Sequence, residues 1–141
     1  MATYNKFQSF VEALAEKQHN LATDTLKVYL SNTAPNAATM TVKADLAEIS
    51  AGNGYTAGGN TATQSSSAQT AGVYKLVLAD PATWTASGGS IGPFRYAVLY
   101  NDTASGDPLI AWWDYGTSIT LGAGDTFAVD FDPSTGVLTI Q

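Results

Sequence analysis

Cysteine is absent from the 141 residues, which excludes disulfides and thiolate metal sites and leaves the redox compartment open. Charge is scarce as well. Asp, Glu, Lys and Arg together make up 13% of the chain, against about a quarter to a third of exposed positions on a well-solvated surface, and that shortfall favours contact with other protein. Basic residues are few, six against twelve acids, for a formal net charge of −6. The imbalance is local: beyond Arg95 the chain adds Asp102, Asp107, Asp114, Asp125, Asp130 and Asp132 and no base. A negative pole without a Lys/Arg stripe excludes direct nucleic-acid binding. No stretch approaches the ~20 apolar residues of a membrane span, and no export signal follows Met1, so we expect synthesis in the cytoplasm and no membrane partner.

What is present is dominated by Ala, Thr, Gly and Ser, a composition suited to close-packed strands and tight turns. The length fits one domain, residues 1–141. Phe7, Phe10, Val11, Leu14 and Ala15 recur at helical spacing, with Glu12, Glu16 and Lys17 off that stripe, which predicts an amphipathic helix over about residues 5–19 with Thr3 or Asn5 as its cap. It either closes one end of a β-sandwich or forms an arm on a neighbouring subunit.

From about residue 24 the period falls to two. Leu26, Val28 and Leu30 alternate with Thr25, Lys27 and Tyr29; Tyr74, Leu76 and Leu78 alternate with Val73, Lys75 and Val77; Tyr96, Val98 and Tyr100 oppose Arg95, Ala97 and Leu99. A short strand at Trp84 is expected. Residues 109–115 read as a central strand buried on both faces, because the adjacent Trp112 and Trp113 must point opposite ways. Phe127, Val129 and Phe131 face inward, Ala128, Asp130 and Asp132 outward, and a turn through Pro133 and Gly136 leads to a last strand. Residues 51–72, with five Gly and a Ser/Thr/Gln-rich stretch, read as a long irregular loop. Many short strands and one helix predict a mainly β chain, an antiparallel β-sandwich or jelly roll, since a parallel sheet needs repeated crossover helices.

Signals for catalysis are sparse. His19 is the single histidine, placed at the predicted helix end, where interaction with the last carbonyls accounts for it. No Gly-x-Ser-x-Gly elbow appears, and the glycines at 52, 54, 58 and 59 lack the Lys-Ser/Thr of a phosphate-binding loop, so they are read as turn residues. Asp125, Asp130 and Asp132 lie close in sequence, but no EF-hand spacing is present, and outward acids on a sheet are ordinarily solvated. Trp84, Trp112 and Trp113 offer ring faces for a sugar, although Trp112 and Trp113 diverge. We therefore expect no enzyme activity, no cofactor and no metal.

Four stretches carry a resemblance: Tyr4-Asn-Lys-Phe7 with Phe10-Val-Glu12; Asp45-Leu-Ala-Glu-Ile49 with Gly52-Asn-Gly-Tyr-Thr-Ala-Gly-Gly59; Phe94-Arg-Tyr-Ala-Val-Leu-Tyr-Asn-Asp102; and Ile110-Ala-Trp-Trp-Asp-Tyr-Gly116 with Phe127-Ala-Val-Asp-Phe-Asp132. Together they resemble small virion structural proteins of tailed bacteriophages, whose members are head decoration (cement) proteins or minor tail proteins. For a decoration protein the resemblance implies a β-sandwich or jelly-roll body, a homotrimer, a seat on the outer capsid surface against the major capsid protein, and no catalytic residues. For a tail component it implies contact with host surface glycans. On the character of their segments, Phe7, Phe10 and Val11 of the predicted arm and Tyr55 of the glycine-rich loop are the expected shell or subunit contacts.

Overall fold

Apolar residues that alternate along a strand need a partner on each side, and the computed structural model, which describes residues 2–141, supplies one from the start of the chain. Strand β1 (Tyr4–Lys6) pairs antiparallel with β8 (Leu109–Leu121), Tyr4 opposite Trp113 and Lys6 opposite Ala111. The ladder continues into Phe7, whose N–H reaches the Ile110 carbonyl at 3.1 Å. The helix α1 therefore begins only at Ser9 and ends at Ala15. The predicted span of residues 5–19 is too long, and neither Thr3 nor Asn5 caps it; the cap position is Gln8, with no side-chain bond. Phe7 and Phe10 consequently share no helical stripe. They enter clusters on opposite sides of the sheet.

The helix stops without a glycine. Lys17 adopts φ 66°, its N–H bonds to the Leu14 carbonyl at 3.2 Å, and the Gln18 N–H bonds back to Ala13 at 2.8 Å. This pair of bonds is the Schellman closure, with a lysine in the left-handed position that glycine usually takes.

The main sheet has the order β1-β8-β7-β2-β3, where β2 is Leu26–Ser31, β3 Asn60–Thr61 and β7 Ile91–Asn101. All its pairings are antiparallel. Its alternation is the predicted one: Leu26, Val28, Leu30, Ala97, Leu99 and Ala111 face one cluster, and Tyr29, Val98, Tyr100 and Trp112 face the other. Strand β8 thus carries packed side chains on both faces near its start, as two adjacent tryptophans require. A second sheet, β10-β5-β4, comprises β4 (Gln64–Thr70), β5 (Val73–Leu78) and β10 (Leu138–Ile140); a third pairs β6 (Trp84–Thr85) with β9 (Thr126–Phe127). The three sheets contribute to one core that includes Leu26, Leu30, Leu76, Leu78, Trp84, Phe94 and Leu138. Among the described residues, the chain is mainly β with antiparallel sheets and one α-helix. These pairings carry the class and not the finer jelly-roll connectivity.

The expectation of an irregular loop over residues 51–72 is corrected. Its first half does turn, with Gly52, Gly54, Gly58 and Gly59 all at positive φ. At Gly59 a Cβ would collide with the Val28 carbonyl oxygen, so only glycine allows this segment to lie along β2. Its second half is strand β4, a hairpin partner of β5 through Ala71 and Gly72, both at positive φ as a two-residue primed turn demands. The strand escaped notice because Gln, Ser and Thr give no apolar alternation.

Candidate functional site

Aromatic side chains gather at two places outside the aliphatic core, and their polar ends are treated differently. Around Glu48 the segment after β2 is clipped to the main sheet. The Glu48 carboxylate accepts bonds from Lys43 Nζ (2.6 Å), the Tyr55 hydroxyl (2.7 Å) and the Gly58 N–H (2.6 Å). The Tyr55 hydroxyl also accepts from the Leu30 N–H at 3.1 Å. Tyr29 donates to the Leu46 carbonyl (3.1 Å), Tyr100 to the Gly58 carbonyl (2.8 Å), and the Lys43 ammonium lies 5.1 Å and 5.6 Å from the centres of those two rings. Burial pushes all three phenols above their ordinary range. Every polar end here has a partner, so the cluster is a clamp.

The second gathering is open. Tyr4 of β1, Ala97 of β7, Trp113 and Tyr115 of β8, and Phe127 and Phe131 of the following segment line a groove of about 740 Å³. The rings meet edge to face or tilted: Tyr4 to Trp113 at 5.8 Å, Trp113 to Phe131 at 5.3 Å, Tyr115 to Phe127 at 5.8 Å. Tyr115 is 55% exposed. Within the described residues the Tyr4 and Tyr115 hydroxyls make no side-chain hydrogen bond, and burial of its ring raises the Tyr4 phenol to about 12. A smaller groove of about 480 Å³ adjoins it, between α1 and β10, with Tyr4 and residues 135–137 common to both. Its rim carries Val11, 52% exposed, and Ile140, 40% exposed. Among the described residues, the three large apolar side chains that stand out into solvent thus lie along one strip.

Charges flank the strip sparingly. Arg95 is held bidentate by Asp114, at 2.7 Å and 2.8 Å, which keeps that carboxyl below the usual range. Asp132 accepts from Ser134 N–H and Oγ and from Thr135 Oγ1, which lowers it to about 2 and occupies it in a turn. Asp125 likewise closes a turn on Gly122 N–H. Asp130 is exposed on the groove wall. Among the described residues no three His, Asp or Glu side chains gather as a metal-binding group.

The expected contact residues fare unequally. Val11 is at the surface. Phe7, Phe10 and Tyr55 are 0%, 4% and 2% exposed, so they are interior residues, and the expectation that they contact a shell is corrected. The helix is too short and the strand before it too well paired to form a free arm. His19 lies beyond the helix end, not on its last carbonyls. It is 5% exposed, its Nδ1 accepts from Asn101 Nδ2 at 3.1 Å, the Phe10 ring lies 5.2 Å away, and desolvation lowers its pKa despite Asp24. Trp84 is 1% exposed and unavailable for stacking, while Trp112 and Trp113 diverge as expected, toward Phe7 and toward the groove. Tyr4, Tyr115 and Ile140 were missed. Period two already places Tyr115 on the face of Trp113; nothing local marks Tyr4 as a strand residue.

Comparison with known proteins gives no matching family model, no matching curated protein and no matching solved structure. Among the described residues, no helix is long and apolar enough to cross a membrane.

Proposed function

We propose that this chain is a structural protein of a tailed-bacteriophage virion, a capsid decoration (cement) protein that docks on the outer shell and stabilises joints between subunits of the major capsid protein. The observation that carries the reading is the open strip from Val11 and Ile140 across Tyr4 to Trp113 and Tyr115. It pairs exposed apolar surface with unpartnered tyrosine hydroxyls, as protein-binding surfaces do. The scarcity of charge supports a protein-docking role, and the resemblance in four stretches supports a virion structural protein, of head or tail alike. Cementing requires binding energy, not catalysis. An interface of ordinary size, ~1,600 Å² in total, becomes effectively permanent when one homotrimer engages several shell subunits, because each later contact is intramolecular.

Quantitative mass spectrometry of separated heads and tails tests it. A ratio to the major capsid protein near one in heads is the expected result, and absence from virions overturns it. One observation favours a second reading, a minor tail or receptor-binding protein: the exposed Asp130 lines the groove together with Trp113, Tyr115 and Phe127, a combination suited to the hydroxyls and apolar face of a host surface glycan. That reading predicts few copies, confined to tails.

A further inference from the structure

A strand edge presents unpaired N–H and C=O groups, and folded proteins blunt such edges with short length, charge, proline or cover. Most edges here are short: β1 and β10 have three residues, and β3, β6 and β9 have two. β4 is the exception. It runs seven residues, Gln-Ser-Ser-Ser-Ala-Gln-Thr, forms one border of its sheet, and contains neither charge nor proline. Its side chains are exposed at Ser65, Ser66, Ala68, Gln69 and Thr70. The nearest cation, Lys75 of β5, is drawn away to the Ser134 carbonyl at 2.9 Å.

Register decides which backbone groups point outward. Thr70 closes the two-residue turn opposite Val73, so Thr70, Ala68 and Ser66 exchange ladder bonds with β5, while the groups of Ser67 and Gln69 face away from it. A bulge between Gln64 and Ser66 ends the regular edge on the other side.

We propose that β4 is a self-pairing edge: two copies of this chain join antiparallel about a two-fold axis at Ala68. The two three-stranded sheets then become one of six. In this register Ala68 opposes Ala68 of the second copy, and Ser67 exchanges both backbone bonds with Gln69 of the other copy, on each side of the axis. Self-complementarity points to a second copy: a neutral strand meets itself without opposing like charges, and the methyl group at the axis allows close approach. Like charge repels copies most strongly after Arg95, where the unbalanced acids lie, and not along the neutral β4. Pairing a single strand buries less than the ~1,200 Å² of a stable interface, so the contact is weak between free chains and tightens where copies stand side by side.

The cysteine-free background makes disulfide trapping clean. Non-bonded antiparallel neighbours lie about 4.5 Å apart at Cα, within the reach of a disulfide. Single variants Ala68→Cys, Ser66→Cys and Thr70→Cys of the full chain are oxidised at equal concentration, and dimer formation is followed by non-reducing electrophoresis. The expected result is rapid dimer formation for Ala68→Cys alone, slowed roughly ten-fold when Ser66→Lys and Thr70→Lys are added to place like charges opposite one another. All three positions are exposed, and unchanged circular dichroism confirms that the variants fold. Equal rates at the three cysteines, or a rate indifferent to the lysines, overturn the proposal. Absence of dimer at every position also overturns it and leaves the edge to a strand of a different protein. Binding to shells is measured separately, so failure of this pairing is distinct from failure of the docking role.

Discussion

Around Glu48, the hydroxyls of Tyr29, Tyr55 and Tyr100 all end on a carboxylate or a carbonyl, and the rings are within a few per cent of complete burial. Along the groove, Tyr4 and Tyr115 present rings of the same chemistry, with hydroxyls that make no side-chain hydrogen bond among the described residues. The two regions are built on the same sheet. They differ in what covers them: the clamp is sealed by the segment after β2, whereas the groove is bounded only in part by residues 127–137. An aromatic with all its bonds made inside the fold stabilises the fold. One that is half-buried and unpartnered is available to something else.

That contrast is broken or sharpened by substitution. The largest effect is expected on the sealed side. Tyr55→Ala empties a core position and strands the Leu30 N–H, and should cost about 3–5 kcal/mol in urea denaturation. Gly59→Ala belongs with it, since the added methyl meets the β2 backbone, and should lower the midpoint by a comparable amount. Next, Tyr55→Phe keeps the ring and removes the hydroxyl, at about 1–3 kcal/mol. A cost near zero would mean that the clamp is ordinary packing.

A smaller effect follows pH. Buried His19 has a lowered pKa, so as pH falls through the ordinary histidine range the unfolded chain gains a proton that the folded chain refuses, and stability drops. The groups facing it are Asn101, Phe10 and, through Asn101, Asp24. Melting temperature should decline from pH 7.5 to 5, and His19→Leu should flatten that decline whatever its absolute stability. At lower pH, Asp132 adds a linkage of the same sign: its contribution is present above the normal carboxylate range and disappears as pH approaches 2. Smallest is Lys17→Gly, which relieves a left-handed lysine at the helix end and should stabilise by about 1 kcal/mol or less.

The alternation of the main-sheet strands was legible in the sequence, and the clamp around Tyr55 and the open groove were not. Alternation at Leu26, Val28 and Leu30, and at Tyr96, Val98 and Tyr100, fixes which side chains turn to which face, because period two leaves no other choice. The adjacent Trp112 and Trp113 similarly declared a strand packed on both faces. Misreadings arose where tertiary pairing overrides local pattern. Tyr4–Lys6 reads as the approach to a helix and becomes a strand only because β8 offers it a ladder. Lys17 ends the helix without a glycine to announce it, and β4 is polar throughout. Tyr55 was read as exposed among glycines. Those glycines instead let the backbone approach β2 closely enough to bury it.

If the chain docks as proposed, the open strip meets the shell and the clamp does not. The most direct measurement is co-sedimentation of the chain with expanded shells, comparing wild type with Tyr115→Ser and Val11→Asp, two surface changes expected to alter stability by no more than about 0.5 kcal/mol. Docking through the strip predicts at least a roughly ten-fold loss of shell affinity for each, the scale of a truncated interface aromatic, with unfolding midpoints unchanged. Wild-type affinity in both variants would contradict it.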